Sequence, residues 1–115
     1  MHPGDIPRIR QLLWPTLRAT RELGGVAKIR EINERAAQIA GLSIEQLAVL
    51  HGSEKTMTEV DYRLRWARTN LKTIGALANP STGTWSVTDF GNSLTQESML
   101  IDALTSQHPG GPAPG

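Results

Sequence analysis

A chain of 115 residues with a formal net charge of +1 is sized for one domain with a modest hydrophobic core. It contains no cysteine, which excludes disulfides and thiolate metal sites. No apolar run approaches the roughly 18–20 residues of a membrane span, and the Met1-His2-Pro3-Gly4-Asp5 start lacks the organisation of a signal peptide, so a cytoplasmic protein is expected.

Pro7 to Leu23 reads as a helix, with Ile9, Leu13 and Leu17 on one face and Gly24-Gly25 as its stop. Pro15 removes one backbone hydrogen bond inside it, so a kink or a fresh start at Trp14 is expected. Val26 to Ala40 carries a second helical pattern through Ile29, Ile32, Ala36 and Ile39, with room for a short extended stretch at its start. Glu31 and Glu34 on this helix read as solvated charges, and Glu31 with Arg35 as a plain i,i+4 pair. Ser43 and Gln46 form a capping box, with Leu42 placed to staple against Leu47, opening a short helix to about Leu50. His51 to Thr56 then reads as a polar loop.

The next helix is the strongest signal. Thr58 can cap it, and Glu59 and Asp61 suit the positive end of its dipole. Val60, Leu64, Ala67, Leu71 and Ile74 form one apolar stripe, and Gly75 follows where a left-handed residue is expected. The predicted span is about 59–74. Its opposite face carries Tyr62, Arg65, Thr69 and Thr73, flanked by Trp66, Arg68 and Lys72, while Arg63 lies nearer the core edge.

Two short strands are expected at Ala76-Leu77-Ala78 and Trp85-Ser86-Val87, around a turn at Asn79-Pro80-Ser81-Thr82-Gly83. Trp85 and Val87 should point inward, with Trp85 as core, and Thr84, Ser86 and Thr88 outward. Asp89-Phe90-Gly91 reads as the exit from the second strand. A final helix over about 96–106, capped by Thr95, carries Met99, Leu100, Ala103 and Leu104; this stripe either packs on the domain or forms a homodimer contact. The segment His108 to Gly115 is rich in proline and glycine and reads as a linker or tail. The expected organisation is a domain over 1–106 followed by this segment at 107–115, as one module of a longer protein.

The fold class is therefore mainly α with a small β-hairpin, a winged helix-turn-helix. Charge is segregated along the chain: residues 55–88 carry a net +3, residues 1–54 a net +1 and residues 89–115 a net −3. The basic footprint coincides with the long helix and hairpin, which is the sign that double-stranded DNA attracts. In this reading the helix enters the major groove and the hairpin, about 76–88, lies on the backbone. Tyr62, Arg65 and Thr69 face bases or the groove floor, Lys55, Arg68 and Lys72 meet phosphates, and Ser81, Thr82 and Thr84 touch the flanking backbone. Thr58, Arg63 and Trp66 complete the candidate DNA-binding set.

Catalytic chemistry is not legible. His2, His51 and His108 are far apart and show no metal spacing, and no phosphate-binding glycine loop is present. Asp89-Phe90-Gly91 lacks the kinase motifs that would give it meaning. No Asp or Glu is followed two residues later by Lys, so that half of a common nuclease site is missing. Neither cofactor nor metal is expected. A winged-helix transcription regulator acting as a dimer, or a winged-helix protein-interaction module, would share this fold.

Four runs in order also resemble the N-terminal domain of Mrr-type restriction proteins. They are Leu13-Trp14-Pro15-Thr16-Leu17, Ile29-Arg30-Glu31-Ile32 with Gly41-Leu42-Ser43, the basic run Tyr62 to Leu77, and Gly83 to Gly91. The resemblance covers about residues 7–94. It implies a DNA-binding winged helix that precedes a Mrr-like nuclease domain of the PD-(D/E)XK class, one that cuts DNA carrying modified bases. Arg63, Trp66 and Arg68 match the family run, which does not by itself assign them to DNA contact.

Overall fold

A computed structural model of the chain describes residues 5–53 and 56–107. Helix α1 (Ile9–Glu22) leads to strand β1 (Val26–Lys28) and helix α2 (Ile29–Ile39). A one-turn helix α3 (Ile44–Leu47) and a loop precede the long helix α4 (Glu59–Thr73). Strands β2 (Leu77–Ser81) and β3 (Thr84–Val87), a short helix α5 (Asp89–Ser93) and helix α6 (Glu97–Gln107) complete the order. The three strands form one antiparallel sheet in the order β1-β3-β2. Three helices backed by such a sheet, with the last two strands as a protruding hairpin, make a winged helix.

Helix starts follow local chemistry. The Gln11 side chain accepts from the Arg8 amide at 2.8 Å, Glu31 accepts from the Lys28 amide at 3.1 Å, and Ser43 exchanges both capping bonds with Gln46. Thr58 accepts from the Asp61 amide at 3.1 Å. Each cap satisfies an amide that the helix leaves without a partner. Gly75 closes α4 at φ 84°, a backbone that side-chain-bearing residues rarely adopt.

The core lies where α1 crosses α2 and α4. Leu12, Leu13 and Leu17 of α1 are fully buried against Ile32, Val60, Leu64 and Leu71, with Leu77 beneath the sheet and Leu100 from α6. Burying each such side chain contributes about 1.5–3 kcal/mol. Leu100 and Leu104 are both buried in this cluster, so most of the last helix's apolar stripe is used within the domain. One continuous helix runs through Pro15, and no new segment starts at Trp14.

The structure sharpens or changes the sequence reading at several elements. The extended stretch before the second helix is a true strand, pairing Val26 with Ser86, Ala27 with Trp85 and Lys28 with Thr84. Strand β2 runs on through Pro80 to Ser81, leaving Thr82-Gly83 as the turn. Proline is tolerated there because β2 is an edge strand and its register shifts between Ala78 and Ser81. Asn79 fastens this irregularity, donating to the carbonyls of Ser81 and Thr84 at 2.8 and 2.6 Å. Asp89-Phe90-Gly91 is helical, capped by the Thr88 hydroxyl. Arg35 pairs with Glu22 of α1 and with Gln38 instead of Glu31.

Candidate nucleic-acid interface

Helix α4 turns its stripe inward: Val60, Leu64, Ala67, Leu71 and Ile74 are buried. Its outer face therefore presents Arg65, Trp66, Thr69, Lys72 and Thr73, all exposed. Arg65 and Lys72 stand seven residues apart, about two turns, and so lie on one side of the helix. Neither makes an ion pair among the described residues. Trp66 keeps 43% of its surface exposed, unusual for an indole. The Thr69 and Thr73 hydroxyls donate to the carbonyls one turn back, of Arg65 and Thr69.

The other candidates on this helix are more constrained. Thr58 is occupied as the cap. Tyr62 is half-buried, and its ring stacks on His51 with centroids 3.7 Å apart and planes 13° apart. Arg63 donates through Nε to Glu59 at 2.6 Å and through Nη1 to the carbonyls of Ile6 and Pro7 at 2.8 and 3.1 Å, which ties the N-terminal segment to α4. Glu59 also meets His51 at 2.8 Å. The hydrogen bond with His51, then that with Arg63, holds the Glu59 carboxyl below its ordinary value.

Arg68, expected at a phosphate, is packed inside the domain in this structure. Arg68 is only 4% exposed. Its Nη1 donates to Asn33 of α2 at 2.6 Å, and its guanidinium lies 5.8 Å from the centre of the Trp85 ring. Asn33 in turn donates to Asp61 at 3.3 Å. Burial pushes the Arg68 pKa down to about 10, opposed by the charge of Asp61. Arg68 thus locks α2, α4 and β3 together. Its Nε and the Trp85 indole N–H are both buried without an acceptor among the described residues, a cost this junction carries. Trp85 is core, as expected.

On the hairpin, Ser81 and Thr82 are exposed and Thr84 is half-buried on the outer face of the sheet. The Gly83 carbonyl accepts from the Ile29 amide at 3.1 Å, fixing the wing against the start of α2. This brings in two cations absent from the expected set. Lys28 is the direct register partner of Thr84, and Arg30 projects from the first turn of α2 with its side chain 91% exposed. Their proximity depends on a strand pairing across nearly 60 residues, which no local pattern reveals. Lys55 lies outside the described residues.

Among the described residues no group of three or more His, Asp or Glu is placed to hold a metal ion, and no helix is long and apolar enough to cross a membrane. A cavity of about 700 Å³ forms a wedge between α2 and the first turn of α4, lined by Ile29, Ala37, Leu42 and Val60 among others.

The molecule is thus a winged helix whose long helix presents exposed cations beside a polar wing. It belongs to the family of the Mrr N-terminal domain, whose model matches residues 10–97, from α1 to the start of α6. The chain is an N-terminal domain of the Mrr type of restriction protein. No curated protein and no solved structure gives a match.

Proposed function

We propose that this domain binds double-stranded DNA on behalf of a Mrr-like restriction endonuclease, with α4 in the major groove and the β2–β3 hairpin on the backbone. The observation that carries the reading is the pair Arg65 and Lys72, exposed, without ion-pair partners among the described residues and aligned on the outer face of α4. An arginine fork suits a guanine edge or a phosphate, and a lysine suits a phosphate. Ser81 and Thr82 of the wing, with Lys28 and Arg30 beside it, supply further backbone contacts. Trp66 and Thr69 offer apolar and hydroxyl surface to the groove. The domain performs no step of cleavage; that role falls to a nuclease domain elsewhere in such a protein.

Titration of labelled duplexes at several salt concentrations tests this reading. Affinity should fall linearly on a log–log plot, and Arg65→Ala should weaken binding and reduce the slope by about 0.9 for each lost phosphate contact. If Arg65 reads a base, the same variant should also relax sequence preference. A folded Arg65→Ala protein that binds with unchanged affinity and slope would refute the groove-facing assignment. Comparing methylated with unmethylated duplexes shows whether the domain itself senses modification.

A further inference from the structure

Asp61 reads in sequence as an acid that suits the dipole of α4, but the structure also gives its carboxylate a fixed orientation. Arg68, buried between α2, α4 and β3, donates through Nη1 to Asn33 Oδ1 at 2.6 Å, and Asn33 Nδ2 donates to Asp61 Oδ1 at 3.3 Å. Chemistry sets the direction of this chain. A guanidinium only donates, so the Asn33 oxygen faces Arg68 and the amino group is left for Asp61, which as a carboxylate only accepts. The chain begins in the packed junction against Trp85 and ends at an exposed side chain. There the second Asp61 oxygen, Oδ2, has no hydrogen-bond partner among the described residues. Asp61 lines the open wedge between α2 and α4, which leaves that oxygen room to meet a ligand.

Asp61 stands one helical turn before Arg65, and Lys72 follows two turns after it, so all three lie on one side of α4. Asp61 makes no ion pair with Arg65 among the described residues. A carboxylate on a phosphate-facing surface repels every duplex, unless a base edge gives it a donor. In the major groove, guanine O6 and N7 and thymine O4 are acceptors, which a carboxylate repels. Adenine sets its N6 amino group beside the N7 acceptor. Cytosine presents the N4 amino group as a donor, and a carboxylate is the side chain that accepts from it.

We propose that Asp61 is a specificity-determining residue of the DNA interface, its outer carboxylate oxygen accepting from the N4 amino group of one cytosine, with Asn33 as the positioning residue that orients it. The proposal rests on the DNA-binding reading above. Its signature is affinity exchanged for selectivity: Asp61 weakens binding to duplexes in general and weakens it least where a cytosine stands opposite. A role confined to the helix dipole would change stability and leave base preference untouched.

The test is selection of bound duplexes from a randomised pool at fixed salt, then titration of the selected site and of each single base-pair change in it. The proteins are the wild-type domain, Asp61→Asn and Asn33→Asp, with the fold checked by circular dichroism. Asn33→Asp keeps the acceptor for Arg68 and removes the amino group donated to Asp61. The wild type should select cytosine at one position, with any other base there costing at least about fivefold in affinity. In Asp61→Asn, Asn33 still donates to the new carboxamide oxygen, so the outer atom becomes an amino donor that cytosine N4 cannot satisfy. The cytosine preference should be lost at that position alone, and an unselected duplex should bind at least as tightly as to wild type. Asn33→Asp should reduce the same preference and leave the other positions unchanged. Wild-type binding without a cytosine preference, a folded variant that keeps the wild-type preference, or a folded Asp61→Asn that weakens on all duplexes alike would overturn the proposal while leaving DNA binding intact. Absence of wild-type binding in low salt would overturn both.

Discussion

Gly91 tests how tightly the wing is joined to the body. It lies in α5, where a Gly-to-Ala change would ordinarily stabilise by about 1 kcal/mol through helix propensity. Here a Cβ would land on the carbonyl oxygen of Ala76, 2.9 Å from Val87 Cγ1 and 3.1 Å from the Ala76 carbonyl carbon. The neighbour cannot easily give way. Ala76 is fully buried, its amide donates to Leu71 at 2.8 Å, and its carbonyl accepts from Thr88 at 3.2 Å. Overpacking of this kind costs about 1–3 kcal/mol, and loss of the Thr88 bond adds about 1. After the propensity gain, Gly91→Ala should destabilise by about 2 kcal/mol. At ~4 °C per kcal/mol, Tm should fall by about 8 °C. Thermal unfolding followed by circular dichroism measures this. An unchanged or raised Tm would show that α5 does not sit against Ala76 as described.

The remaining predictions concern single side chains. Arg68→Met should leave the salt slope of DNA binding unchanged, because the buried guanidinium faces Asn33 and Trp85; a slope reduced by about 0.9 would return Arg68 to the interface. Thr88→Val removes the hydroxyl that caps α5 and also bonds the Gly75 carbonyl, so urea unfolding should show a loss of about 1 kcal/mol. The carboxyl of Glu59 is held below its ordinary value of 4.5, so its contribution is present above that pH and is lost as pH falls toward the lowered folded value. Urea midpoints between pH 7 and pH 3 should therefore fall less steeply in Glu59→Gln than in wild type, and parallel profiles would contradict the His51–Glu59–Arg63 arrangement.

What sequence revealed, and what it hid, follows the range of the interactions. Helix α4 was legible because its signals are local: the Thr58 cap, the acidic first turn, the apolar stripe and Gly75 all fall within 18 consecutive residues. The capping box that starts α3 was legible for the same reason. Strand β1 was only hinted at, since three residues become a strand by pairing with β3 far along the chain. Arg68 stands at the flank of α4, where period alone cannot say whether a neighbour covers it; Asn33 and Trp85 do. His51 was hidden because its loop is defined by long-range stacking on Tyr62 and bonding to Glu59. The helical form of Asp89 to Ser93 had a local sign, Thr88 before Asp89, which the extended hairpin reading overrode.

The central claim is that α4 and the wing form one DNA-facing surface. Amide chemical-shift mapping of the domain during titration with a short duplex tests it most directly. The account predicts perturbations concentrated on Arg65 to Thr73, Ser81 to Thr84 and Lys28 to Arg30, weakening as salt is raised. Perturbations confined to α6 or the α2–α3 wedge, or none at low salt, would contradict it.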